Sequence, residues 1–243
     1  MLSLKQALSL SSTKLLAGGD FEPTDISSLQ LWYKNLAGME NQDGETDPND
    51  FIDSDKITWQ SQVGSNLLDN DQNWNKPAWS SGQMAINIAH SKFYEFTTPL
   101  SLTADFSFCF SVRLVAIPYE DGLLGEGSSN MLEIQSASTF AFRADGTPEH
   151  TITHASETIA ADKWYTIIVT RESGTLSIYV DGGGITNTLW GTATDTDTFA
   201  VETVGSWNND AQNLNGYIRD LSYFNAALSS SEIANMIAYI NNY

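Results

Sequence analysis

The stretch KWYTIIVTRESGTLSIYVDG, residues 163–182, decides the fold. Two runs rich in β-branched and aromatic residues flank Glu172-Ser173-Gly174, where Gly174 can supply the positive φ that a tight hairpin turn needs. A second run, FSFCFSVRLV at 106–115, sets Phe106, Phe108, Phe110, Val112 and Leu114 at period two, which lines them along one face of a strand. Further strands are expected at 29–33, 58–59, 84–88, 93–96, 131–135, 139–144, 198–206 and 216–224, with a Gly/Asn/Asp loop over 64–75. Only the C-terminus reads as helix. SSSEIANMIAYI (229–240) opens on a Ser229-x-x-Glu232 capping box, and Ile233, Met236, Ile237 and Ile240 form one apolar stripe. Many short strands separated by turn signals indicate an all-β antiparallel two-sheet sandwich. No βα alternation or internal repeat is present. Residues 1–27 are read as an N-terminal arm and 28–243 as one sandwich.

Composition narrows the function classes. The 243 residues carry 30 Asp+Glu against 11 Lys+Arg, a net charge of −19. So acidic a chain repels phosphate backbones and anionic lipid, which excludes nucleic acid and disfavours membrane surfaces. No apolar run reaches the length of a membrane span. The N-terminal MLSLKQALSLSSTKLLAGG is interrupted by Gln6 and serines, unlike a cleaved secretory signal, and is expected to belong to the mature protein. The single cysteine, Cys109, precludes an intramolecular disulfide and sits in strand sequence, where a buried inert thiol is expected.

The hairpin at 163–182 resembles the central hairpin of laminin-G-like domains in the concanavalin A-like lectin/glucanase superfamily. There, Trp leads an apolar run, a short turn follows, and the next strand ends Tyr-Val-Asp-Gly. GYIRDLSYFNAALSSSEIANM (216–236) is similar to the closing motif of that family, and SLQLWY (28–33), Trp59-Gln60-Ser61 and KPAW (76–79) fit more loosely. The resemblance implies a jelly roll of two antiparallel sheets, with Trp32, Trp59 and Trp164 in structural positions. It does not fix an activity, because one fold hosts many functions. Such domains occur in adhesins, surface proteins and phage virions, and MLSLKQALSLSSTKLL is similar in style to the openings of phage structural proteins.

Catalytic patterns are sparse. The glucanases of that superfamily carry a Glu-x-Asp-x-x-Glu strand, whereas MLEIQ (131–135) supplies only Glu133, and retaining hydrolysis needs two carboxyls about 5–5.5 Å apart. There is no Gly-x-Ser-x-Gly elbow. His150 and His154 lie in strand or loop sequence, where a spacing of four separates Cα atoms by roughly 13 Å, too far for one zinc ion. They and His90 are expected to be exposed loop histidines. The acidic run DGETDPNDFIDSD (43–55) departs from an EF-hand at Pro48 and Ser54 and is read as a solvated loop.

Sugar binding needs a flat aromatic beside amide or carboxylate partners. Trp207, followed by Asn208, Asn209 and Asp210, has that chemistry, and Trp190 in TNTLWGT and Tyr119 before Glu120 are weaker candidates. Trp74 and Trp79 read equally as core plugs. Calcium in lectin-like sandwiches sits on rim loops, and Asp195, Asp197, Asn208 and Asp210 are the candidate ligands. The leading expectation is a non-enzymatic phage virion structural or decoration protein at the virion surface. Its arm holds it to other capsid or tail proteins, in homo-oligomeric form where the particle requires it, and its sandwich adheres to host surface polysaccharide. The alternative is a secreted or cell-surface calcium-dependent carbohydrate-binding module; a glycoside hydrolase stands behind both.

Overall fold

A computed structural model describes residues 21–53, 55–70, 76–88, 92–116, 120–146, 148–207 and 212–242. In chain order the strands are β1 (Leu29–Tyr33), β2 (Met39–Asn41), β3 (Ile57–Gln60), β4 (Leu67–Asp69), β5 (Ala78–Ser80), β6 (Ala85–Ile88), β7 (Tyr94–Leu102), β8 (Phe106–Leu114) and β9 (Asp121–Glu126). They continue with β10 (Asn130–Ser136), β11 (Thr139–Arg143), β12 (His150–Thr153), β13 (Trp164–Glu172), β14 (Thr175–Gly182), β15 (Ile185–Thr194), β16 (Phe199–Val204) and β17 (Gly216–Phe224), and end in helix α1 (Ser230–Ile240). Sheet A has the order β15-β14-β13-β8-β17-β6-β5, with β1 also on β17; sheet B has the order β12-β11-β10-β9-β16-β7-β4-β3-β2. All named pairings between these strands are antiparallel. The all-β sandwich expected from the sequence is the fold.

The period-two reading of β8 holds atom for atom. Phe106, Phe108, Phe110, Val112 and Leu114 enter the core between the sheets, where they meet Tyr94, Phe96, Phe140, Phe142 and Phe199 of sheet B. Cys109, on the opposite face, pairs with Ile168 of β13 and lies under α1. The helix forms because Ser229 and Glu232 close the capping box on its first turn. It stays because Ile233, Met236, Ile237 and Ile240 bury against Cys109, Ile168, Phe224 and Trp32. Burial in this second core raises the Cys109 thiol well above its ordinary value and leaves it unreactive.

Several elements escaped the sequence reading. β4 lies in the expected 64–75 loop, and β2, β9 and β15 were not anticipated. Residues 21–27, assigned to the arm, pack on the sandwich: Phe21 meets Tyr239 edge-on and Ile26 joins the core under α1. Residues 1–20 lie outside the described residues. The helix thus occupies the outer face of sheet A. The outer face of sheet B carries mostly polar side chains.

Candidate functional site on the outer face of sheet B

The site grows out of the β9-β10-β11 meander. Leu132 and Ile134 of β10 and Phe140 and Phe142 of β11 point into the core. Alternation therefore sends Glu133 and Gln135, and from β11 Arg143, to the outer face. Opposite Glu133 stands Ala141 on one side and Gly122 of β9 on the other; opposite Met131 stands Gly125. Those two glycines are a seat. A Cβ on Gly125 would come within 2.5 Å of Trp207 Cβ, and one on Gly122 within 2.5 Å of the Gln212 carbonyl and 2.8 Å of Trp207 N. Without side chains there, the chain on either side of residues 208–211 lies directly on the sheet. Gly122 N donates to Gln212 O at 2.9 Å, and Gly205, at φ +82°, turns the chain off β16 while its amide donates to Leu123 O at 2.9 Å.

Seated this way, Trp207 is half-buried and its indole Nε1 donates to Glu133 Oε2 at 2.7 Å. Around the pair, Gln135 Nε2 and Arg143 Nη2 both donate to Glu149, at 2.9 and 3.0 Å, and Arg143 Nη1 donates to Ser128 O at 2.7 Å. Gln212 Nε2 reaches Glu120 at 3.4 Å. Burial pushes the Glu133 carboxyl up to about 7; the indole hydrogen bond and Arg143 pull it down, while Glu120 and Glu149 push it further up. Near neutral pH Glu133 therefore exists both as an acceptor-only carboxylate and as a carboxylic acid with a proton to donate. Asp121, at the start of β9, is pushed by burial up to about 6 against the opposing hydrogen bond from the Asn215 amide. Glu133, 2% exposed, holds the indole from beneath, and the indole, amide and guanidinium at the surface can bond the hydroxyls of a sugar and cover one of its apolar patches.

The other candidates fall elsewhere. Trp190 is corrected: it lies in β15 rather than a loop, is 2% exposed, packs edge-on to Phe140 and donates Nε1 to Ser138 O at 2.8 Å, so no sugar reaches it. Tyr119, Asn208, Asn209 and Asp210 lie outside the described residues, as do Trp74 and His90. Trp32 and Trp59 are buried as expected, as is Trp79, whereas Trp164 is half-buried. Asp195 does not fit a calcium ligand. It is 3% exposed, its Oδ1 lies 3.6 Å from Arg171 Nη1 and accepts from the Asp197 amide, and its Oδ2 lies 3.2 Å from His150 Nε2. Arg171 is already the cation it faces. No group of three His, Cys, Asp or Glu suited to a metal occurs among the described residues. His150 and His154 are half-buried rather than exposed: His154 Nδ1 accepts from the Glu157 amide at 2.9 Å, and its ring lies 5.1 Å from Trp190.

A model of the concanavalin A-like lectin/glucanases superfamily, laminin-G type, matches residues 89–234, and the chain belongs to that family. Comparison with curated proteins finds no match. Among solved structures, the chain is similar to domain 4 of AbnA, an extracellular GH43 arabinanase from Geobacillus stearothermophilus solved with arabinotriose. The TM-score is 0.54 at 13% identity, covering 86% of this chain and 98% of that one. It is similar to Trypanosoma rangeli sialidase with TM-score 0.54 at 14% identity, covering 89% of this chain but only 33% of the sialidase. It is also similar to the binding domain of botulinum neurotoxin DC in complex with SialylT, with TM-score 0.52 at 14% identity and coverage of 88% and 51%. At these identities the likeness is one of fold. No helix among the described residues is long and apolar enough to cross a membrane.

Proposed function

We propose that the chain is a non-enzymatic glycan-binding sandwich whose site is the outer face of sheet B around Trp207. One observation carries the reading: Trp207 is seated on two side-chain-less positions and held by a buried carboxyl, on a face otherwise lined with polar groups. Two of the similar folds were solved with saccharide ligands, arabinotriose and SialylT, which supports the class without naming the sugar. A glycan-array screen of the folded protein is expected to give hits that Trp207→Ala weakens about ten-fold or more, with the melting temperature unchanged. Chelation tests the calcium expectation separately: loss of the hits would place an ion on ligands other than Asp195, which is committed to Arg171. Unchanged affinity in the variant would move the site; silence across the array would end the reading.

The glycoside-hydrolase alternative has weaker support: burial raises the Glu133 carboxyl into the range of a general acid, but Glu133 is 2% exposed and its carboxyl is held by the Trp207 indole. Release of reducing sugar that Glu133→Gln abolishes would replace simple binding with catalysis.

The finer proposal is that this sandwich decorates a phage virion and aids adhesion to host polysaccharide, with residues 1–19 as the attachment arm. Its support is the style of the N-terminal sequence and an acidic exterior that limits self-association. Deleting residues 1–19 is expected to abolish particle attachment and to leave the melting temperature of the sandwich unaltered. Particles still decorated by the truncated chain would favour the alternative, a secreted or cell-surface carbohydrate-binding module.

A further inference from the structure

A cavity opens on the other sheet. It measures about 270 Å³ and lies on the outer face of sheet A beside the C-terminal end of α1, lined by Ser111, Trp164, Thr166, Gly182, Arg219 and Asn241 among others. The register between β17 and β8 shifts between Ile218 and Asp220, which makes Arg219 the extra, unpaired residue of a bulge. Bulges re-aim a side chain, and this one brings Arg219 to the wall of the cavity. There the guanidinium lies over the Trp164 ring, 3.7 Å from its centroid.

The state of this arginine is unlike that of the other three. Arg113 pairs with Asp162, Arg143 with Glu149 and Arg171 with Asp195. Arg219 makes no ion pair and no side-chain hydrogen bond among the described residues, and its Nε is buried without a partner. Asp220, its neighbour in sequence, acts on it only through space. In a chain with net charge −19, a half-buried guanidinium with no ion-pair partner among the described residues is an unfilled electrostatic position. The stacking fixes the plane of the fork, so the donors are held in place for a planar acceptor. The rest of the lining joins Tyr165 and Ile240 to the polar groups of Ser111, Thr166 and Asn241. Thr166 Oγ1 donates to Asn241 Oδ1 at 3.3 Å, and Asn241 Nδ2 donates to Asp181 at 2.7 Å, which orients the amide at the exposed rim.

We propose that this cavity binds the carboxylate of a small hydroxylated acid of the uronate class, with Arg219 holding the carboxylate and Asn241, oriented by the buried Thr166, meeting a hydroxyl. Carboxylate is favoured over a tetrahedral anion because a stacked guanidinium presents a planar fork. A small acid is favoured because the volume lies just under the range of drug-sized pockets, roughly 300–1,000 Å³. The site is independent of the Trp207 face, which lies on the opposite sheet.

The test is calorimetric titration of the full chain at low ionic strength with sodium glucuronate, glucose and inorganic phosphate. Glucuronate is expected to bind and glucose to give no heat at the same concentration. Arg219→Gln is expected to weaken glucuronate about ten-fold or more. Arg219→Lys, which keeps the charge but not the fork, is expected to recover only part of it, and Trp207→Ala to leave it unchanged. The melting temperature of each variant checks the fold. Equal binding by Arg219→Gln, absence of glucuronate binding, or phosphate binding as tightly as glucuronate would each overturn the assignment.

Discussion

Replacing Arg171 by Leu is expected to lower the unfolding free energy by about 3–5 kcal/mol, the largest effect of any single substitution outside the aromatic core. Arg171 sits on β13 with 2% exposure. Its guanidinium donates to Leu102 O at 2.8 Å, to Ala104 O at 2.7 and 3.2 Å, and to Asp197 O, while its plane lies 4.7 Å from the Phe106 centroid. One side chain of sheet A thereby ties down the end of β7, the turn into β8 and the connection between β15 and β16. Leucine fills part of the volume but leaves three carbonyls buried without a donor and the Asp195 carboxylate without its guanidinium, and unsatisfied buried acceptors cost more than the bonds themselves contribute. Denaturant unfolding of Arg171→Leu, Asp195→Asn and the double variant measures the coupling. The double variant is expected to be less destabilised than the sum of the singles, because neutralising Asp195 removes the stranded charge. A loss under about 1 kcal/mol for Arg171→Leu would show that water satisfies these groups.

That clamp was not legible in the sequence, and the reason is physical. The period-two rule sees apolar faces, so it placed β8, β13, β14, β17 and the stripe of α1. An arginine in TIIVTRE reads as the polar end of a strand. Trp190 was misplaced by the same blind spot. TNTLWGT looks like a loop because Thr, Asn and Gly are turn residues, yet as an edge strand β15 needs few apolar side chains turned inward, and within this stretch Trp190 is the buried one. At the site, Trp207 was found from its neighbours in sequence, but its observed partners lie on other strands. Glu133 is 74 residues away, and Gly122 and Gly125 belong to β9, whose DGLLGE has no alternation to announce a strand. One signal was available. Read as adjacent antiparallel strands, MLEIQ and TFAFR put Glu133, Gln135 and Arg143 on a single face opposite four core residues. The bulge that re-aims Arg219 carries no such signature, since GYIRDLSY alternates acceptably without it.

Stability is expected to fall as pH rises from about 4 to about 8, the reverse of a protein held by salt-bridged carboxylates. The largest source is Asp220 on β17. It is 2% exposed, its Oδ1 receives a long 3.4 Å hydrogen bond from the Asn35 amide, and its Oδ2 has no partner within hydrogen-bond distance. Burial pushes its carboxyl up to about 7, against the weaker opposing pull of the Asn35 amide, Arg219, Lys34 and the Trp32 indole. Glu133 at about 7 and Asp121 at about 6 move the same way. A carboxyl whose folded pKa is raised holds its proton in the native state after the unfolded chain has released it. Its contribution is therefore complete below the unfolded value near 3.8 and is lost as pH rises through the folded one. For Asp220 alone that loss is on the order of 4 kcal/mol between those limits. Asp55 acts in the opposite sense at the acid end. Burial raises it, but hydrogen bonds from Asn41, the Ile52 amide and Gln42 outweigh burial and hold it below its ordinary value, so its contribution is lost as pH falls through the folded pKa. The optimum should lie at roughly pH 4–5. Thermal melts from pH 4 to 9 read this directly. Asp220→Asn keeps the shape and the neutral state, so it is expected to raise the melting temperature at pH 8, leave it nearly unchanged at pH 4 and flatten the slope between. A slope identical in wild type and variant would locate the titrating burden in Glu133 and Asp121 instead.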